Sequence, residues 1–468
     1  MSETPQTRSQ WGSKVGFVLA AAGSAVGLGN LWKFPYITGE NGGGAFVLIY
    51  LVCIVVVGLP IMVAEVLLGK ETQKSPVGAI TSHAPHSAWR AVGWLGVAGS
   101  FVILSYYSVV AGWAMHYVGL ALGGAFTDVP ADQISAIEGR FGALYADPQL
   151  NVLWHTVFMA LTVGVVIAGV QKGVERAARV LMPSLLLMLG GIVAYGSTLP
   201  GFARAFDFVF GFHTESLTGA GVLEALGHSF FTLSVGMGAM LTYGSYMKKG
   251  DDVVSASMWI SGLDTLVALM ACLALFPITF TYGMEPSAGP GLVFVNMPTA
   301  MAQLPGGGVM AVVFFVLLTF AALTSSISLL EVAASYFIDE RGWSRPRAVL
   351  SIGAIIFAAG IPSALSGGTE LFGEGFAAIT APLLGGEGKN WFDFLDYLAS
   401  NWMLPLGGLG ISLFVAWRMD PVRRLAALKA GSPLGRVAAA YAGWLWTLRI
   451  VVPVAIVLVI LHAIGVLA

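Results

Sequence analysis

The sequence predicts an all-α polytopic membrane protein of about eleven transmembrane helices, taking a span to need about 20 apolar residues. Three observations carry that expectation. Of 468 residues, 57% are hydrophobic and 10% are charged, where soluble domains carry about 25% charged residues. The apolar residues fall into long runs. Lys and Arg alternate between successive loops, dense on one side and sparse on the other. A net charge of −2 without a basic stripe gives no sign of a nucleic-acid partner. Cys53 and Cys272 sit in apolar runs and read as small core residues. Met1 to Gln10 is polar and no cleavage-like end follows the first run, so no signal peptide is expected.

In chain order the runs lie near 12–38, 43–69, 89–123, 151–169, 174–196, 222–247, 254–283, 308–338, 347–364, 393–417 and 439–467. The first fails as a plain helix. Gly23, Gly27 and Gly29 crowd into Ala20 to Pro35, beside Ser24 and Asn30. Glycine costs a helix interior about 1 kcal/mol per residue, and freed backbone groups in hydrocarbon must find partners. A glycine-rich packing face would explain the pattern equally well. The sixth run repeats it: Val26-Gly27-Leu28-Gly29 is echoed by Val235-Gly236-Met237-Gly238. Two glycine-interrupted spans in corresponding halves point to a secondary-transporter site.

The basic loops hold Arg8, Lys14, Lys70, Lys74, Arg90, Lys172, Arg176, Arg179, Lys248, Lys249, Arg341, Arg345, Arg347, Arg418, Arg423, Arg424, Lys429 and Arg436. The opposite loops hold Arg140, Arg204 and Lys389. The rule that cytoplasmic loops are positive places the N-terminus in the cytoplasm and, with an odd span count, the C-terminus outside. The outer loops Gly123–Leu150, Thr198–Gly221 and Ser366–Asn390 are longer. The last, with Gly367-Gly368 and Gly385-Gly386, reads as an outer lid or as an ordinary connection.

GSAVGLGNLWKFPY (23–36), NGGGAF (41–46), FFTLSVGMGAMLTYGSY (230–246) and LTSSISLLE (323–331) together resemble the neurotransmitter:sodium symporter (solute carrier 6) family, and within it the bacterial hydrophobic amino-acid:sodium symporters. The resemblance runs from Arg8 to about Arg449. It implies two inverted five-helix repeats, 12–196 and 222–417, with helices 1 and 6 broken. A tail over 1–11, an extracellular loop over 197–221 and a loop with helix 11 over 418–468 complete the organisation. A bacterial plasma membrane is implied; the oligomeric state is not.

Sodium is a hard cation that takes oxygen ligands. By resemblance, one sodium site takes Ala25, Asn30, Thr232 and Asp264, and a second takes Gly23, Val26, Ala321, Thr324 and Ser325. An Asp in mid-membrane is a functional expectation by default, with a structural hydrogen bond as the other reading. Hydroxyls such as those of Thr324 and Ser325 more often bond back to their own helix. Chloride-dependent relatives ring an anion with neutral groups. Here Tyr50, His228 and Ser234 surround the equivalent place, and Asp264 adds a fixed negative charge one turn before Ala268, which implies independence of chloride. His228 is either a proton-coupled group or a neutral core histidine.

Gly27 stands where amine-transporting relatives have Asp, which leaves room for a substrate bringing its own carboxylate. That carboxylate would meet sodium, the Leu28 and Gly29 amides at a half-helix N-terminus, and the Tyr107 hydroxyl. The amino group would meet oxygens of Ala25, Phe231, Thr232 and Ser234. Ile103, Phe231, Met237, Ser325, Ser328 and Leu329, flanking Gly236 and Gly238, would hold an uncharged side chain. The resemblance therefore implies sodium-coupled uptake of hydrophobic L-amino acids, aromatic ones included, by alternating access. Plain helix packing is the other reading of these apolar residues.

Lys33 and Asp396 match an outer ion pair, and Arg8 and Asp339 an inner one supported by Trp11 and Tyr246. Gly173 and Pro183 match a motif for local unwinding of span five. Glu65 matches a glutamate that braces the span-one break, and the role of Glu331 is open. Competing readings are a symporter of another zwitterion or small amino acid, and a non-transporting amino-acid sensor. An enzyme is not expected, since no nucleophile–base pair, metal cluster or complete phosphate-loop motif is present.

Overall fold

Hydrocarbon offers a backbone no hydrogen-bond partners, so each apolar run must satisfy its own N–H and C=O groups. A computed structural model of the chain describes residues 8–127, 129–130, 134–212, 214, 217–285, 291–384, 388–432, 434–463 and 465–466. Residues 1–7 of the amino-terminal tail and the Gly385-Gly386 pair of the outer loop lie outside the described residues. Among those described there are helices and no strands. Nine helices are long and apolar enough to span: Gly44–Thr72, Arg90–Leu122, Pro148–Ile167, Val170–Gly196, Val253–Thr281, Gly307–Arg341, Arg345–Leu365, Trp391–Arg418 and Ala439–Ala463. The first span is a bent pair, Lys14–Ala25 and Gly29–Glu40, meeting at 52°. The sixth is also a pair, Gly219–Thr232 and Ala239–Gly244, separated by six non-helical residues. Among the described residues the nine helices and the bent first pair give up to ten apolar spans against the eleven expected, because the break in the sixth leaves neither half long enough.

The third span is the most enclosed, with 78% of its apolar window buried, and the eleventh is peripheral at 28%. The third packs along the eighth, and the two broken spans lie against this pair. Leu187 and Val309 are more than 70% exposed, as lipid-facing side chains are. The basic loops gather at one end. Lys70 donates to carbonyls of Asp251, Ala427 and Ala430, and Gln171 to that of Gln10. That end is called the basic face below.

Several helices, one of them the short Leu292–Met301 between the seventh and eighth spans, contain a widened, π-type turn. Five of these, Gly29–Lys33, Ile54–Gly58, Leu292–Asn296, Ala399–Met403 and Thr447–Val451, are each followed two residues later by proline. Proline lacks an N–H and its ring crowds the carbonyl four residues back. An extra residue in the preceding turn relieves that crowding without ending the helix. The long loops opposite the basic face are not plain connections. They carry the helices Ile134–Tyr145, Phe202–Phe210 and Glu374–Leu384, too short for a transmembrane pattern to flag.

Candidate functional site

Each break is a designed interruption. At the first, Lys14–Ala25 ends with Val26 extended (φ −69°, ψ 100°) before the chain re-enters a helix at Gly29. At the second, Ser234, Gly236 and Gly238 all have positive φ, at 52°, 87° and 76°. Such angles suit glycine; Ser234, which carries a side chain, is held there by donating to the Ser24 carbonyl across the gap (2.9 Å).

Between the breaks lies a polar knot. Asp264, fully buried, accepts from Asn30 Nδ2 (2.7 Å) at one oxygen and from Thr232 Oγ1 (2.9 Å) at the other. Asn30 Nδ2 also reaches Thr232 Oγ1 (3.0 Å), and its Oδ1 accepts the Gly27 amide (3.1 Å). Three of the four residues expected at the first sodium site are thus mutually bonded. Ala25, the fourth, lines the adjoining cavity. The second set also converges. Gly23 faces Thr324, where an added Cβ would lie 3.2 Å from the threonine Cβ, and Ser325 Oγ reaches the carbonyls of Ser24 (3.1 Å) and Val26 (3.5 Å). The Thr324 hydroxyl bonds back to the Ala321 carbonyl (2.9 Å).

Next to the knot is a cavity of about 30 Å3, lined by Ala25, Gly27, Leu28, Gly29, Ile103, Tyr107, Phe231, Thr232, Ser234, Met237, Ser325, Ser328, Leu329 and Ser24. All but Ser24 were expected from the sequence. A Cβ on Gly27 would come within 2.6 Å of Ser325 Oγ and 3.0 Å of Tyr107 Oη, so the position admits no side chain without displacement. Tyr107 Oη accepts the Leu28 amide (3.2 Å). Ser24 was missed, although it stands in the same motif: its carbonyl takes two hydroxyls and its own hydroxyl donates to Ser328 (2.6 Å).

Three expectations need correction. Gly236 and Gly238 do not line the cavity. A Cβ on Gly236 would strike the Leu404 carbonyl, and one on Gly238 would meet Pro76 at 3.0 Å, so both face neighbouring helices and shape the break. Glu65 braces the second break, not the first. Its carboxylate accepts the amides of Gly236 (2.6 Å) and Leu241 (3.3 Å), because Leu59–Thr72 packs against Ala239–Gly244. Lys33 and Asp396 form no ion pair. Both line a cavity of about 260 Å3; the Lys33 ammonium sits 5.1 Å from the centre of the Phe231 ring, while Asp396 is held by Tyr106 Oη (2.9 Å) and Ser400. Lysine is a point charge without the two-pronged match to a carboxylate that arginine has.

The basic face is shut. Arg8 pairs with Asp339, donates to Ser245 Oγ (2.7 Å) and lies over the Tyr246 ring. Trp11, 3% exposed, donates from its indole to the Tyr243 carbonyl (2.9 Å) and from its backbone to that of Tyr246 (3.0 Å). Glu331 belongs to this cluster: fully buried, it accepts two bonds from Arg345 (2.7 and 2.8 Å) and one from Tyr246 Oη (2.6 Å). In the sequence Arg345 is one basic-loop charge among many, and nothing local marks it as the partner of Glu331. Span five is helical through Pro183, with Gly173 in the widened turn Val170–Glu175 at its start. His228 is buried among Phe34, Tyr50 and Phe231, and neither ring nitrogen has a hydrogen-bond partner.

A family model described as the sodium:neurotransmitter symporter family matches residues 8–128 and 149–466. The chain belongs to that family. The sodium-dependent transporter YhdH of Bacillus subtilis (strain 168) is 39% identical over 472 residues, covering 100% of both proteins. A sodium-dependent transporter of Haemophilus influenzae is 31% identical over 426 residues, 89% of this chain and 91% of its own. Among solved structures, MhsT in complex with L-phenylalanine is similar at 41% identity with a TM-score of 0.85, covering 98% of this chain and 100% of that one. The family is one of transporters, not enzymes.

Proposed function

We propose that this protein takes up hydrophobic L-amino acids, aromatic ones included, coupled to sodium by alternating access. The observation that carries the reading is the adjacency of the Asn30–Thr232–Asp264 knot to a cavity whose wall at Gly27 has no room for a carboxylate side chain. A substrate that supplies the carboxylate itself fits that wall. MhsT, whose structure holds L-phenylalanine, supports the aromatic part.

Sodium would sit at two sites, one on Ala25, Asn30, Thr232 and Asp264, the other on Gly23, Val26, Ala321, Thr324 and Ser325. At the first, the Asn30 amide presents its NH2 to the carboxylate. Turning that amide over would present Oδ1 to a cation and release the Gly27 N–H, a donor for the incoming carboxylate. Ion and substrate then favour each other because one side chain serves both. The Asp264 charge stands in for chloride. The basic face is cytoplasmic, with the N-terminus there and the C-terminus outside, in a bacterial plasma membrane. The two halves, 12–196 and 222–417, would act as inverted repeats, and residues 1–11 as part of the inner gate.

A cavity of about 30 Å3 holds little more than a water molecule. Met237, 5% exposed, is the adaptable wall that would yield to a large side chain. The small volume favours a second reading, a small amino acid such as alanine or glycine. Uptake of labelled tryptophan, phenylalanine, leucine, alanine and glycine into proteoliposomes, with inward sodium or potassium, separates the two. Sodium-dependent accumulation of the large substrates is expected. Accumulation of alanine or glycine alone would reject the roomy pocket, and sodium-dependent binding without accumulation would reject transport.

A further inference from the structure

The loop between the fifth and sixth spans, at the far face opposite the basic one, carries the helix Phe202–Phe210, and that helix has three sides. Ala205 and Val209 are buried, and beside them the Phe208 ring packs edge-on against Phe276 and Phe280 of span seven (5.2 and 5.5 Å between centres). Arg204 and Asp207, three residues apart, are exposed on a second side. Phe206 and Phe210, four residues apart, meet on the third (ring centres 4.9 Å apart) and are still 51% and 46% exposed. A helix on a water-bathed surface needs two sides, one for the core and one for solvent. A third side, apolar and open, calls for a third environment.

The level of the helix names that environment. Only Ser197–Gly201 separates it from the end of span five, and the Gly201 amide donates to Thr281 Oγ1 (3.0 Å), on the last residue of span seven. Phe276 lies more than a turn inside that span, about 7 Å from its end at the rise of an α-helix. The helix therefore docks at the last apolar turns of span seven, where hydrocarbon gives way to headgroups. Arg204, its guanidinium 4.3 Å from the centre of the Phe280 ring, stays exposed, as a cation at a membrane interface does. The same helix closes on a corner of the broken spans. A Cβ on Gly43 would overlap the Phe208 carbonyl, and one on Gly44 the Gly211 carbonyl. Gly43, at φ 87°, lies in the turn that joins Gly29–Glu40 to span two. Asn41 in that turn donates to Glu224 on Gly219–Thr232 (2.7 Å), so the corner holds the far-face halves of both broken spans. We propose that Phe202–Phe210 is an interfacial helix: Phe206 and Phe210 sit among lipids at the headgroup boundary of the far leaflet, and that seating positions the Asn41–Gly44 corner. The partner is the bilayer and not a second copy of the chain, since two phenylalanine side chains offer far less than the roughly 800 Å2 a side that a stable protein pair buries.

The test uses neither uptake nor ligand, so its failure and that of the transport reading are separate results. Nitroxides would be placed at Phe206→Cys, Phe210→Cys and Asp207→Cys in the full chain, with Cys53→Ala and Cys272→Ala, in phosphatidylcholine nanodiscs. Oxygen concentrates in hydrocarbon, and a nickel chelate stays in water. Expected is a ratio of oxygen to nickel collisions at 206 and 210 about fivefold or more above that at 207. Equal ratios at all three would put the third side in water and overturn the seating. Dipolar coupling between labels at Phe210→Cys on two chains, removed by dilution with unlabelled protein, would show a second copy there and overturn it as well. For the corner, hydrogen exchange over 37–44 would be followed in nanodiscs for wild type, Phe206→Glu and Phe206→Trp, tryptophan being at home in the interface. Expected is a rise of about fivefold for Phe206→Glu alone, with 8–16 unchanged. No rise in Phe206→Glu, the same rise in Phe206→Trp, or a matching rise at 8–16 would overturn the positioning. Phe210→Glu, read the same way, covers the case in which Phe206→Glu does not fold.

Discussion

The two ends of the bundle hold the same kinds of side chain in opposite states. At the basic face two cations, Arg8 and Arg345, are both engaged with carboxylates, and Glu331 is fully buried beneath them. At the far face Lys33 and Asp396 stand apart on the wall of a cavity of about 260 Å3. The difference is one of water. A carboxylate with no exposure must be paired or neutral, so Glu331 cannot leave Arg345 without moving to a wetter place. Lys33 and Asp396 border open space, where an unpaired charge costs little. Pairing is obligatory at one end and optional at the other, and the molecule is closed at the obligatory end.

Substitution at Arg345 should break the comparison most severely. Arg345→Met strands Glu331 and should cost about 3–5 kcal/mol, the range for breaking a buried pair, read as a loss of thermal stability in detergent. Adding Glu331→Gln to it should recover most of that loss; no recovery would mean that Arg345 acts through its packing. Arg8→Ala is next. Its pair with Asp339 is partly exposed and worth about 1 kcal/mol, so accessibility from the basic face of a cysteine placed beneath Trp11 should rise about fivefold, and an unchanged labelling rate would show that Trp11 alone closes that face. The smallest effect belongs to Lys33→Arg. A two-pronged partner for Asp396 should make pairing at the far face less optional and slow dissociation of bound amino acid about threefold, an effect bounded by the value of an exposed pair. Faster dissociation would mean that Lys33 stabilises closure from its place over Phe231.

The spans were legible because lipid imposes a length and composition that few other structures share. The breaks were legible because glycine at Gly27, Gly29, Gly236 and Gly238 contradicts a long helix. Most of the cavity wall stands in the quoted motifs; Ile103 and Tyr107 lie outside them and came from the wider resemblance, Ser24 was missed, and Gly236 and Gly238 were wrongly included. What escaped were contacts between distant segments. Glu175 meets Gly12 across 163 residues, and Glu65 meets Gly236 across 171; no local pattern announces either. Gly236 and Gly238 show the limit of position alone: they sit in the motif yet face away, because positive φ turns them toward Leu404 and Pro76. Whether Lys33 and Asp396 touch depends on the conformation adopted, which a sequence does not state.

The central claim is that cation and amino acid share the Asn30–Thr232–Asp264 knot. The most direct test is equilibrium binding of labelled L-phenylalanine to the purified protein over a range of sodium at constant ionic strength, for wild type and Asp264→Ala. Binding that vanishes in potassium, with the sodium requirement raised more than tenfold by Asp264→Ala, is the result predicted. Equal phenylalanine binding in sodium and potassium, or a sodium requirement untouched by Asp264→Ala, would contradict the account.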